Sequence, residues 1–336
     1  MVTTEKQILY AKIEAAYNTD PTTAATDAYR VIDPAYKLDP HIYRPAIGGI
    51  RQCTPNPAQI GMRWPDFSFK QEVRGNSTAL DGTHRPAMDP FIRACGFDPG
   101  TWDGVGKTWT YAWVDEACES LWVELNTGGL FQPSGGCRGT FDLELTPGER
   151  AVMSYSFQGN YQPIDEVAMT APTYDDCASL LVQGIQLAPY GMASTPGAVK
   201  NRVTKATLNL RGEVYRLPDV NGAEGIGEVF VLGMGSPTDR GPQLTMEVTR
   251  DDAAHDAWWN QFLNRSLGAA CSITLGSTAL GLKQQCVFSF PGGLYVDGIE
   301  DITIGSLRGH KLTCSVPGTV AGPGEDAIGI VWTQGV

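Results

Sequence analysis

Gly139-Thr140-Phe141-Asp142-Leu143-Glu144-Leu145 is the stretch on which the reading of the chain turns. Its apolar side chains occupy every second position, a period that suits a strand with one buried face and suits no helix with a single apolar stripe. Working outward, Ala151–Phe157 repeats the pattern after a turn at Gly148. Thr108–Trp113 places Trp109, Tyr111 and Trp113 on one side, and Trp64–Val73 does the same with Phe67 and Phe69. The 39 Gly and 22 Pro among 336 residues fit many strands joined by turns. A mainly β fold is expected.

This order of elements occurs twice. The first copy runs Ile60–Gly75, a helix near Ala87–Cys95, Ala117–Leu125, then Gly139–Leu145 and Ala151–Phe157. The second runs Gln243–Arg250, a helix near Asp252–Leu267, Ala270–Leu275, then Ile299–Ile304 and His310–Val316. The Ala-Cys steps at Cys118 and Cys271 are 153 residues apart, and the turn glycines Gly148 and Gly309 are 161 apart. So small a drift is what loop-length changes leave in a diverged duplication. The expected organisation is an arm over 1–43, β-domains over 44–165 and 171–320, and a C-terminal extension over 321–336. The Pro-, Gln- and Thr-containing stretch 159–173 marks the boundary.

Outside the repeats, Gln7–Tyr17 reads as a short helix, stopped by Asn18-Thr19-Asp20-Pro21. Thr204–Tyr215 reads as one long strand. Arg216–Gly227 is dense in turn residues and, with a strand at Glu228–Leu232, forms a hairpin-like excursion. The lone strand Ile328–Thr333 suits addition to another sheet edge.

Charge and chemistry narrow the function. A net charge of −12 with no basic segment argues against a grip on nucleic acid through phosphates. No run is long and apolar enough for a signal peptide or membrane anchor. The eight cysteines show neither a CxxC pair nor metal-type spacing, and read as buried thiols. Gly233-Met234-Gly235 and Gly104-Val105-Gly106-Lys107-Thr108 lack the following helix that a phosphate site requires, and read as turns. Asp297-Gly298-Ile299-Glu300-Asp301 does not match an EF-hand loop and reads as a charged turn. The acids around His255 suit a helix start. No catalytic, cofactor-binding or metal-ligating residue is nominated, no cofactor is expected, and the chain is expected not to be an enzyme. The adjacent Trp258 and Trp259 lie about 100° apart on a helix, so both cannot face one core, and one is expected at an interface.

Ala11-Lys12-Ile13-Glu14-Ala15-Ala16-Tyr17-Asn18-Thr19-Asp20-Pro21-Thr22-Thr23-Ala24 resembles the opening of the tail tube (major tail) proteins of long-tailed bacteriophages, and the strand–helix–strand order of each half is similar to the tail-tube domain. The departure is the doubling, which matches the members that carry two tube domains per chain. The resemblance implies two tandem β-sandwich or partial-barrel domains, each with a flanking helix. Three chains would form a pseudo-sixfold ring, and rings would stack into the conduit for DNA ejection. Implied partners are further copies of itself and other tail proteins such as the terminator, tape measure and distal tail proteins. Genomic DNA would pass without specific binding, and the location would be the virion tail, after synthesis in the host cytoplasm. Residues expected at contacts between subunits or rings are Tyr17, Asp20, Pro21, Asn76, Asp81, Pro218, Asp219, Asn221, Trp258 and Trp259. The competing expectations are an adhesin or fibre module of β-sandwich type, and a terminator or distal tail ring protein.

Overall fold

The computed structural model describes residues 7–43, 59–114, 118–168, 170–175, 179–180, 182, 184–186, 203–219, 226–232, 241–249, 259–265, 267–268, 270–276, 284–318 and 327–334. The first half carries β1 (Gln7–Ile13), β2 (Ala28–Tyr29), β3 (Ile32–Tyr43), β4 (Gln59–Glu72), helix α1 (Asp89–Arg93), β5 (Thr101–Asp103), β6 (Thr108–Ala112), β7 (Leu121–Thr127), β8 (Leu130–Leu145), β9 (Val152–Tyr161) and β10 (Asp165–Glu166). The second carries β11 (Gly184–Gln186), β12 (Val203–Asn209), β13 (Glu213–Pro218), β14 (Ile226–Leu232), β15 (Gln243–Thr249), β16 (Cys271–Gly276), β17 (Gln284–Phe290), β18 (Tyr295–Ile304), β19 (Leu307–Ser315) and β20 (Gly329–Gln334). A second helical stretch, α2, covers 259–264. The fold is mainly β, as expected.

Strand β8 organises the larger sheet. On one side it pairs with β9, and β4 and β3 follow. On the other it pairs with β7 along Leu130–Cys137 and with β12 along Asp142–Leu145. At 16 residues the strand is long enough to serve two neighbours on one side; against β9 its register shifts between Gly135 and Arg138, where Gly136 takes a φ of 62°. Beyond β7 lie β1 and β2; beyond β12 lie β15, β19 and β18. A second sheet runs β11-β16-β17-β20-β6-β5, and β13 with β14 forms a separate hairpin.

Residues of both sheets and both halves form one buried apolar cluster. Phe67, Phe141, Met153 and Phe157 come from the larger sheet; Tyr111, Phe288, Phe290, Ile330 and Trp332 come from the smaller. Helix α1 closes one end with Phe91, whose ring centroid lies 4.7 Å from Tyr29, 5.1 Å from Phe69 and 5.3 Å from Tyr155. The thiols of Cys95, Cys137, Cys271, Cys286 and Cys314 are free and buried as expected, and Cys118 is half-buried.

Four local expectations are corrected. Gln7–Ile13 is a strand, held along seven residue pairs by β7. It has two buried faces, Leu9 and Ala11 in the main core and Ile8 and Tyr10 in a small cluster with Ala28, which helical spacing cannot provide. The strand expected over Thr204–Tyr215 breaks at Arg211, whose φ is 53° and whose N–H donates to Asn209 Oδ1 at 2.7 Å. Asp297–Asp301 is not a turn but the middle of β18, paired with β19 and carrying a bulge between Val296 and Gly298. Finally, Ile328–Thr333 is not a spare edge strand. As β20 it sits between β17 and β6, with Trp332 opposite both Cys286 and Trp109, and so joins the halves. The arm is likewise built in: β1, β2 and β3 all belong to the larger sheet.

Candidate assembly surface

The larger sheet contains one strand order twice. Along it run β18-β19-β15-β12 and then β8-β9-β4-β3. If each set of four is numbered by position in the chain, both read third, fourth, second, first. Each set also has its helix, α1 or α2, between the second strand and the third. The smaller sheet does not repeat this order, since the β16-β17 and β6-β5 hairpins meet head-on across β20. The sets join where the first strand of one, β12, pairs with the third strand of the other, β8. That joint consists of Ala206 opposite Leu145, Thr207 opposite Glu144, Leu208 opposite Leu143 and Asn209 opposite Asp142.

Head-to-tail joining leaves two different open edges. At one end β3, a first strand, pairs only with β4; at the other β18, a third strand, pairs only with β19, among the described residues. Strand β3 exposes Ile32 and Ile42 at 42% and 48%. It also holds Pro34 and Pro40, which lack the N–H of a full ladder and restrict how another strand can add. The core-remote face of the sheet is rich in hydroxyls. Ser68 and Ser156 are cross-strand neighbours, as are Thr207, Thr245 and Thr313, while the hydroxyl of Thr140, next to Ser156, is buried beside Gly212. A further row alternates in charge, Lys205-Glu247-Lys311-Glu300, so that each cation has an acid opposite.

No protein-family model matches the chain, and no curated protein matches it significantly.

The β13–β14 hairpin packs against β8 and β9 of the larger sheet. Its inner side chains Val229 and Val231 are buried, while Tyr215, Leu217 and Phe230 are exposed on its outer face. Polar pegs hold it to the first half. Arg216 pairs with Asp66 and lies 5.2 Å over the Trp64 ring. Arg138 donates to Glu228 at 2.8 Å and to the Val229 carbonyl at 2.6 Å. The backbone N–H of Val229 donates to the Tyr17 hydroxyl at 2.7 Å, and Asn160 Nδ2 donates to the same oxygen at 3.1 Å. Burial pushes the Tyr17 hydroxyl up to about 12, so it stays protonated.

The sequence-selected residues fall in several places. Tyr17 is half-buried and bonded within its own chain, as above. Asp20 accepts the Thr22 N–H at 2.7 Å, and Pro21 follows it in the same short turn segment. Asn76 is buried and bonded to Gln284. Asp81 is exposed and caps a turn, accepting from Thr83 and His84; those bonds hold its carboxyl well below the usual carboxylate range. Pro218 ends β13, and exposed Asp219 follows it. Trp259 is half-buried, with its ring edge-on to Phe262 at 5.9 Å. Asn221 and Trp258 lie outside the described residues, as do His255, Gly233, Met234 and Gly235. Gly104–Lys107 is the β5–β6 turn, in keeping with the sequence reading.

Sequence reading missed Glu14, Glu124 and Arg138. Glu14 is 7% exposed, and its carboxylate accepts from Ser120 Oγ, from Gly136 N at 2.8 Å and from Asn18 N at 2.9 Å. Its setting raises its pKa: burial dominates over those bonds. Nothing in the linear pattern marks these positions, because the partners that fix them in the fold, Ser120 and Gly136 for Glu14, Thr23 for Glu124 and Glu228 for Arg138, are distant in the chain. Among the described residues no group of three or more His, Cys, Asp or Glu is placed to hold a metal ion, and no helix is long and apolar enough to cross a membrane.

Proposed function

We propose that the chain is a structural subunit of a hollow tube, the tail tube of a long-tailed bacteriophage, and that three copies form each ring. The observation that carries this reading is the repeated strand order with its head-to-tail joint. A joint between unlike edges generates a ring when the rotation closes, and leaves no exposed edge. The β12–β8 pairing inside one chain is the template for β3 of one copy meeting β18 of the next. Six sets of four strands make a barrel of roughly 24 strands. At about 4.8 Å between strands this is on the order of 40 Å across, wide enough to admit a nucleic-acid duplex. The part of that face left uncovered by the β13–β14 hairpin, with Thr207, Thr245, Thr313 and the charge-alternating row, suits such a lining, because it offers phosphates no cluster of cations at which to release counterions. The outer faces of the β13–β14 hairpins are the candidates for contact between stacked rings.

Negative-stain electron microscopy of the purified protein over a rising concentration series tests this. Stacked rings with a central hole are expected. Rings that never stack would favour a terminator or distal ring, and a discrete oligomer without a hole would sink the proposal in favour of a surface-binding module.

A further inference from the structure

We propose that Tyr17 is a latch through which the N-terminal segment fixes the position of the β13–β14 hairpin. Among the described residues that hairpin forms a sheet of its own. Packing of the buried Val229 and Val231 and a set of polar pegs fix its position, and the pegs converge on one place. The Tyr17 oxygen takes the Val229 N–H, and Asn160 Nδ2 steadies the same oxygen. The Arg138 guanidinium lies 5.3 Å from the centre of the Tyr17 ring and 5.8 Å from that of Phe230, while its Nη1 bonds Glu228 and the Val229 carbonyl. Further ties are Arg216, opposite Val229 in the hairpin, to Asp66 and Trp64, and Asn160 Nδ2 to the Gly227 carbonyl at 3.4 Å.

Tyr17 can occupy this place only when its own segment is seated. Gly136 leaves room for its ring: a Cβ there would stand 2.6 Å from Tyr17 Cζ, and Gly136 also has positive φ. Glu14, three residues earlier, binds the segment to the body through Ser120 and Gly136, and its carboxylate also accepts the Asn18 N–H within the segment. None of these partners belongs to the hairpin. The geometry thus couples two distant pieces of chain: seating of residues 14–18 and orientation of residues 226–230. An incoming copy that displaced the segment would free the hairpin, and a seated segment holds its outer face ready. This last consequence rests on the proposed role of that face in assembly; the latch itself does not.

Hydrogen exchange on the full-length protein, kept at a concentration where it is monomeric, tests the latch. Tyr17→Phe removes only the hydroxyl, and amides of 226–232 should then exchange about three- to tenfold faster, the equivalent of one hydrogen bond, with β4, β8 and β9 unchanged. Glu14→Ala touches no hairpin atom, yet should speed the same amides. In a Tyr17→Phe background Glu14→Ala should add little, because the coupling runs through the missing hydroxyl. Hairpin exchange that stays at the wild-type rate in Tyr17→Phe would overturn the latch. So would full additivity of the two substitutions. Loss of ring formation with unchanged hairpin exchange would leave the assembly reading standing and remove the latch.

Discussion

The side-chain amide of Gln284 on β17 pairs with the backbone of Asn76 as a strand would: Oε1 accepts the Asn76 N–H at 2.8 Å and Nε2 donates to the Asn76 carbonyl at 3.0 Å. The two residues are 208 positions apart, and both are buried. Removing this side chain strands a backbone donor and acceptor away from water. Gln284→Ala should cost about 2–4 kcal/mol, since each unsatisfied group costs about 1–3 kcal/mol. Urea unfolding checks it; a loss below about 1 kcal/mol would mean that water replaces the amide.

Strand β20 should make the two halves unfold together. Trp332 is fully buried between residues of both halves. Trp332→Ala should cost about 3–5 kcal/mol through the cavity it leaves. Thermal unfolding followed by calorimetry should show one shifted transition. Two separated transitions in the wild-type protein would contradict a shared core.

An edge charge should block assembly without harming the fold. Ile42 is exposed on open strand β3. Ile42→Lys should change stability by less than about 0.5 kcal/mol, as for other surface sites. It should nevertheless abolish rings in sedimentation and electron microscopy, because a charge on an edge strand opposes addition of another strand. Rings of normal size from this variant would exclude the β3 edge as the joint.

Acid and neutral pH should act in opposite senses on two carboxylates. Burial raises Glu124 above its ordinary value of 4.5, against the pull of Thr23 and Trp122. Such a group binds its proton more tightly folded than unfolded. Its contribution is therefore fully favourable below about 4.5 and is lost as pH rises through the raised value. Glu124→Gln should accordingly raise the melting temperature at pH 7 relative to wild type, by more than it does at pH 4. Glu72 behaves in reverse. Burial pushes it up, but bonds from Ser179, Arg150 and Arg74 outweigh that and lower it from 4.5 to about 2. Its contribution is present above about 4.5 and is lost as pH falls through about 2, so Glu72→Gln should lower the melting temperature at pH 7 and matter least near pH 2. Melting curves for both variants across pH 2–7 decide the signs.

Strand periodicity was legible wherever one face is buried and the other wet. Phe141, Leu143 and Leu145, or Trp109, Tyr111 and Trp113, alternate because their neighbours meet solvent. β1 escaped that test because it is buried on both faces, so its Ile8-Leu9-Tyr10-Ala11 run carries no alternation to read. The candidate surface was legible only in part. Turn chemistry marked the hairpin excursion, whereas the pegs that hold it, Tyr17 to Val229 and Arg138 to Glu228, join residues 212 and 90 positions apart.

By itself the sequence determined local matters: many of the strands, the Gly104–Lys107 turn, and the burial of Cys95, Cys137, Cys271, Cys286 and Cys314. These follow from interactions over a few residues, where side-chain period and backbone sterics act directly. The tertiary structure alone decided which strands are neighbours. The β12–β8 joint, the place of β20 between β17 and β6, and the one common core depend on pairing between distant segments. Any edge strand with free N–H and C=O groups can accept many partners, and only packing of the whole chain selects one.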